Sequence, residues 1–237
     1  MFRKFIPPVL TSHRSLLTRA LGNLQEDTYR RVRDMGFHPN TVIDVGAWHG
    51  HWSETAAKIF PKANFFMFDA LEESRPYLER FAQGRFSYQI CVLAAESGLE
   101  KEFSVNATGS SLFPERSDAP RSIKRVRTTT LDEALDGKRL ATPIFLKLDV
   151  QGAELDVLKG ASRTLRQCEL VQLEVALLNY NEGAPELADV VSFMNERGFK
   201  LYEIAGFVRP TGAHLVQIDA VFASEHSSLR PSFFRFK

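Results

Sequence analysis

Four acids stand at or next to the ends of apolar runs: Asp44 in 41–45, Asp69 after 65–68, Asp149 after 143–148 and Glu174 in 169–175. An acid at the carboxyl end of a buried parallel strand lies on the edge where open α/β sheets take their ligands. The first acid runs directly into Gly46-Ala47-Trp48-His49-Gly50. Glycines at Gly46 and Gly50 let a ligand approach bare backbone and permit turn dihedrals closed to other residues. Asp69 is placed to accept hydrogen bonds from a ribose diol.

The turn lacks the full G-x-G-x-x-G of dinucleotide binders and the lysine-bearing loop of nucleotide triphosphatases. An acid beside it suits a ligand with a cationic end. S-adenosylmethionine, with an ammonium and a sulfonium, has that polarity.

These residues need strands to end them and helices to space them. Strands are expected at 41–45, 63–69, 86–93, 143–149 and 169–175, with helices at 51–60, 72–83, 153–166 and 185–197 between or after them. Tyr77, Leu78 and Phe81 would face inward from the second helix. Thr130 with Glu133 three residues on reads as a capping box. The runs 199–204 and 214–222, joined by Pro210-Thr211-Gly212, read as an antiparallel hairpin at the sheet edge. The segment 1–40 reads as helical, a lid or brace beside the first strand, with a substrate cover or dimer arm as the alternative. Residues 226–237 form an aromatic, basic tail. The stretch 94–130 breaks the alternation. With Arg116, Arg121, Lys124, Arg125 and Arg127 it is either a solvated face or an edge that receives an anionic or polar substrate.

Hydrophobic residues at 44% supply one sizeable core, and a net charge of +1 offers no basic surface for nucleic acid. Cys91 and Cys168 lie in apolar runs and read as core residues in a reducing compartment. No run approaches the ~20 apolar residues of a membrane span. Together with the proline-broken start, this points to a soluble, cytoplasmic protein.

Two stretches, Ile43-Asp44-Val45-Gly46-Ala47-Trp48-His49-Gly50 and the longer block from Leu146 through Asp149-Val150-Gln151-Gly152-Ala153-Glu154 to Ala161, resemble the FkbM-type methyltransferases. These are class I S-adenosylmethionine-dependent enzymes. Thr130-Leu131-Asp132 and Gln172-Leu173-Glu174-Val175 stand where that family carries similar words. The resemblance covers about residues 40–205. The family usually has Asn at 48, Glu-Pro after the second strand and Glu at 151, where this chain has Trp48, Asp69-Ala70 and Gln151.

The resemblance implies an α/β, Rossmann-like, doubly wound and mostly parallel seven-stranded sheet. A C-terminal antiparallel hairpin closes it, and helices cover both faces. It implies that Asp44, Gly46, Ala47, Trp48 and Gly50 hold the methionine end of S-adenosyl-L-methionine, Asp69 and Ala70 the ribose, and Cys91 and Val92 the adenine. Asp149 and Gln151 join the cofactor contacts. The activity implied is methyl transfer to a hydroxyl of a sugar, glycolipid or secondary metabolite. A cofactor-binding but catalytically silent partner subunit is the alternative.

Asp149 is the leading candidate base, against a helix-capping or cofactor-contacting acid. Glu174 is a substrate contact or, with Asp149, a ligand to Mg²⁺. His49 is a candidate for proton transfer, against a capping or packing role. Ser110, Ser111, Tyr180 and Asn181 are candidates for the acceptor pocket. Lys147, a lysine in mid-strand, is expected to pair with an acid such as Glu174.

Overall fold

The protein is described by a computed structural model covering residues 24–106, 109–113, 116, 121–231, 233 and 235. The helical reading of 1–23 lies outside these residues. α1 (Leu24–Asp34) leads into β1 (Thr41–Val45), α2 (His51–Ile59) and β2 (Asn64–Asp69). The helix expected at 72–83 is broken into short pieces, Glu72–Ser74, α3 (Arg75–Leu78) and Glu79–Phe81. Pro76 in the first turn of α3 has no N–H to continue a helix from upstream. Of its expected inward residues, Leu78 is buried and Tyr77 is exposed.

The strand expected at 86–93 divides into β3 (Phe86–Ile90) and β4 (Val92–Leu93). Cys91 N–H makes a last bond to the Asp69 carbonyl, 2.9 Å. Val92 and Leu93 then pair with Thr128 and Thr129 instead. β4 thus joins β5 (Glu100–Val105) and β6 (Ser122–Thr129) in a second sheet, order β4-β6-β5. Across its antiparallel pair, Glu100 stands opposite Arg127 and Glu102 opposite Arg125. Two of the basic residues of this stretch, Arg125 and Arg127, therefore stand opposite acid across the ladder.

α4 (Leu131–Ala134) starts at Thr130, whose Oγ1 accepts from Glu133 N–H at 3.1 Å. The reciprocal half of the expected box is absent, because Ser97 Oγ takes the Thr130 N–H at 2.9 Å. β7 (Ile144–Leu148) follows, then α5 (Glu154–Lys159) and α6 (Ser162–Leu165) in place of one helix. The break falls at Gly160, where a Cβ would lie 2.2 Å from the Ala94 carbonyl oxygen. β8 (Cys168–Ala176), α7 (Leu187–Glu196), β9 (Phe199–Val208) and β10 (Gln217–Ser224) complete the chain.

The main sheet has seven strands, ordered β3-β2-β1-β7-β8-β10-β9. Only β10 runs against its neighbours. Strand alternation gives the sheet two apolar faces. Leu146, Leu148, Val171 and Phe222 meet Val157 and Leu158 on one. Phe65, Phe145 and Val221 meet Tyr29, Phe60 and, from the tail, Leu229 on the other. Among the described residues no helix is long and apolar enough to cross a membrane.

Candidate active site

The carboxyl ends of β1, β2 and β7 open onto a cavity of about 680 Å³. Its first wall is the turn after β1. Gly46 has φ +77° and a Cβ there would lie 1.9 Å from the Asp149 carbonyl oxygen, so no side chain fits. Gly46 and Ala47 N–H groups both donate to the Phe68 carbonyl at 2.9 Å. Trp48 takes φ +49°, a left-handed conformation that costs a non-glycine residue ~1–3 kcal/mol. Its N–H donates to Asp69 Oδ2 at 2.6 Å. Its indole stacks on His49 at 4.4 Å, and His49 stacks on Tyr77 at 3.6 Å. Burial, and then the neighbouring His51, hold the His49 imidazole below its ordinary range. Gly50, φ +78°, does not reach the cavity wall; a Cβ there would meet Phe81 at 2.7 Å.

Asp69 is 7% exposed and lies in the wall. It also accepts from Leu71 N–H and Ser74 Oγ, both at 2.9 Å. Burial pushes its carboxyl up, against these three hydrogen bonds. Around it Leu71, Val92 and Phe103 form an apolar cluster with Trp48, Ala70 and Leu112. Cys91 lines the same end.

Asp44 stands behind the wall. It is fully buried, with Oδ2 accepting from Ser53 Oγ at 2.7 Å and Oδ1 from Lys147 Nζ at 3.1 Å. Lys147 also donates to the Gly46 carbonyl at 3.2 Å and lies 3.6 Å from Asp149 Oδ2. Its partners are therefore Asp44 and Asp149, not Glu174 as expected. β1 and β7 pair in register at Asp44 and Lys147, which sets the two side by side. Burial works against the ammonium, but Asp44 and then Asp149 outweigh it and raise its pKa.

Asp149 closes the other end of the cavity. It does not cap α5, and no other side chain does; Glu154 Oε1 instead ties the turn before it, accepting from Val150 N–H at 2.9 Å and Gly152 N–H at 3.3 Å. The Asp149 side chain is 37% exposed, toward the cavity. Gln151, φ +55°, turns back so that its amide Nε2 donates to Asp149 Oδ1 at 3.0 Å and to Glu174 Oε1 at 2.7 Å. Tyr180 OH donates to the same Glu174 oxygen at 3.3 Å. Burial acts to raise Asp149. The Lys147 ammonium, then hydrogen bonds from Glu174 and Gln151, together outweigh it and hold the carboxyl below its usual range. Burial, and then Asp149 itself, push Glu174 well above its own. The two carboxyls are thus pushed apart, Asp149 toward its charged form and Glu174 toward its neutral one.

A metal does not fit this pair. Amide donors from one nitrogen aim at both carboxylates, where a cation would need bare oxygen. Among the described residues no group of three or more His, Cys, Asp or Glu is arranged to hold a metal ion. Ser110 and Tyr180 line the cavity, whereas Ser111 and Asn181 do not. Both of the latter are buried and bond the Gln151 carbonyl. Wall residues that sequence reasoning passed over include Trp52, Leu71 and Phe103. Trp52 sits one position past His51 on the first turn of α2, and the helix phase would have placed it facing β7.

The strand order, the lone antiparallel strand and the glycine turn beneath a strand-end acid are those of a class I methyltransferase. A family model described as methyltransferase FkbM domain matches residues 44–201, and the chain belongs to that family. Its coarse activity is therefore methyl transfer from S-adenosylmethionine. No curated protein matches the chain in sequence. Among solved structures, magnesium protoporphyrin IX methyltransferase from Synechocystis is 13% identical over 94% of this chain and 86% of its own, with TM-score 0.48. Precorrin-6y C5,15-methyltransferase from Geobacter metallireducens is 13% identical over 84% and 86%, with TM-score 0.45. TrmK from M. capricolum is 8% identical over 85% and 70%, with TM-score 0.48. At these values the likenesses add nothing to the family assignment.

Proposed function

We propose that the protein methylates oxygen, using S-adenosylmethionine and a hydroxyl of a small-molecule or glycan acceptor. The cavity's donor set fits the cofactor. Leu71, Val92 and Phe103 offer an apolar slot for adenine, Asp69 and Ala70 lie beside it for the ribose, and the bare backbone of Gly46 to Trp48 follows for the methionine end. Asp44 supports that end through Lys147 and the turn, without touching it. When bound, the cofactor supplies an electrophilic methyl on a sulfonium.

The observation that carries the oxygen reading is the Asp149 carboxylate. It ends β7 beside the glycine turn, opens to the cavity and is kept ionised by Lys147. A carboxylate so held can orient an acceptor hydroxyl and take its proton as the carbon–oxygen bond forms. Glu174, held at the wall by Gln151 and Tyr180, is left to contact a second acceptor oxygen. His49, packed between the Trp48 and Tyr77 rings, is assigned to the wall.

The test is a tritiated-methyl transfer screen against sugars, glycolipids and small hydroxylated metabolites. Calorimetry with S-adenosylhomocysteine runs alongside. Asp149→Asn is expected to keep S-adenosylhomocysteine affinity and lose transfer by about 10²–10⁴-fold. Full activity in that variant would remove Asp149 as the base. Binding without transfer to any acceptor, in the unaltered protein, would favour a cofactor-binding partner subunit instead.

A further inference from the structure

The stretch 94–130 touches the acid pair through two carbonyls. Ser111 Oγ donates to the Gln151 carbonyl at 2.7 Å, and Arg116 N–H donates to the Tyr180 carbonyl at 2.7 Å. Gln151 and Tyr180 are the two residues whose side chains donate to Glu174 Oε1. Ser111 is itself fixed to β5, exchanging two backbone hydrogen bonds with Ser104 at 2.9 and 3.0 Å. From the opposite side, Asn181 Nδ2 donates to the same Gln151 carbonyl at 2.6 Å.

The Gln151 carbonyl is thus pinned between two jaws while its backbone stays left-handed. Gly152 follows at φ +96°, and a Cβ there would meet Ala184 Cβ at 2.7 Å and Asn181 Nδ2 at 3.3 Å. With peptide and backbone fixed, the Cα–Cβ bond is fixed too, and from it the amide reaches Asp149 and Glu174. Tyr180 is tied at a second point, its one hydroxyl proton shared between Glu174 Oε1 and Gln217 Oε1, the latter at 3.1 Å.

We propose that the inserted stretch is the positioning element of the catalytic pair: Ser111 and Arg116 grip Gln151 and Tyr180 by their carbonyls and so aim the two side chains that hold Glu174 beside Asp149. The reading rests on Asp149 as the base. It moves Ser111 and Asn181 from the acceptor pocket to a support that acts through Gln151. It also makes the insertion part of the active site without contact to the acceptor. Small motions of such supports matter because a 1 Å misplacement at a reacting group costs about 100-fold in rate.

The first test needs no acceptor. Side-chain amide signals of Gln151, read by ¹⁵N NMR on the full chain and assigned by their loss in Gln151→Met, are expected away from those of exposed glutamines. Ser111→Ala should return them toward the exposed position, and Ser111→Thr, which keeps the hydroxyl, should not. Asn181→Leu, acting on the other jaw, gives a second variant with the same expected shift. Unmoved amide signals in both Ser111→Ala and Asn181→Leu would overturn the proposal.

With an acceptor in hand, Ser111→Ala is expected to lower kcat about tenfold at unchanged KM, the worth of one neutral hydrogen bond. Ser111→Thr should restore it. In a Gln151→Met background Ser111→Ala should add nothing, because both act through one group. Additive losses would argue against the clamp. An Asp149→Asn variant that stays active would sink the base assignment while leaving the NMR result intact, so the two failures are distinct.

Discussion

The two ends of the cavity are built from different materials. At the glycine turn the wall is backbone. Gly46 lies under the Asp149 carbonyl, Ala47 bonds Phe68, and Asp69 is engaged by two peptide N–H groups and one hydroxyl. At the far end the wall is side chain: Asp149 and Gln151 after β7, Glu174 in β8 and Tyr180 just past it are linked by side-chain hydrogen bonds. A backbone wall is rigid and indifferent to most substitutions that keep its dihedrals. A side-chain network is adjustable, and each member is exposed to replacement.

If the contrast is right, the largest effect should come from the backbone end. Gly46→Val forces a branched side chain to φ +77° and into a peptide oxygen. The expected outcome is no folded protein, or a loss of at least ~4 kcal/mol in urea denaturation. A stable Gly46→Val that still binds S-adenosylhomocysteine would break the comparison. Next is Lys147→Met, at the join between the ends. It leaves Asp44 buried without a counter-charge, and ~3–5 kcal/mol should be lost by the same measurement.

The third variant probes the acid side by pH. Burial raises Glu154 from 4.5 to about 7. An acid that holds its proton more tightly when folded contributes stability below its unfolded pKa. That contribution is lost as pH rises through the folded value. Stability should therefore fall from pH 4.5 to 7, by up to ~3 kcal/mol from this group. Glu154→Gln keeps the oxygen that accepts from Val150 and Gly152, and its denaturation midpoint should lack that part of the fall. An unchanged slope would show that Glu154 titrates normally. The smallest effect is expected from Ser74→Ala. Asp69 keeps both peptide donors, so calorimetry with S-adenosylhomocysteine should register a loss of only ~0.5–1.5 kcal/mol. A larger loss would mean that a side chain, not backbone, sets the cofactor end.

Much of this was legible beforehand. Apolar runs marked the strands of the main sheet, the glycines marked the turn, and Thr130 marked a helix start. Three features were hidden for identifiable reasons. Asp44 and Asp69 look alike in one dimension, but Lys147 reaches Asp44 only through the β1–β7 register, and so only Asp69 keeps a place in the wall. Strand 86–93 reads as one run, and its break at Cys91 depends on a partner strand more than thirty residues away. Gln151 looked like the loss of a charge; its role as a bridge needs a left-handed backbone and two jaws from distant loops.

The chain contains two tryptophans, Trp48 and Trp52, and both line the cavity. All of its indole emission therefore arises at the site. Entry of an adenine-bearing molecule between the glycine turn and β4 would alter the surroundings of the stacked Trp48 ring directly. The unlabelled protein carries its own optical gauge of cofactor occupancy, and a Trp52→Phe variant would isolate the Trp48 signal.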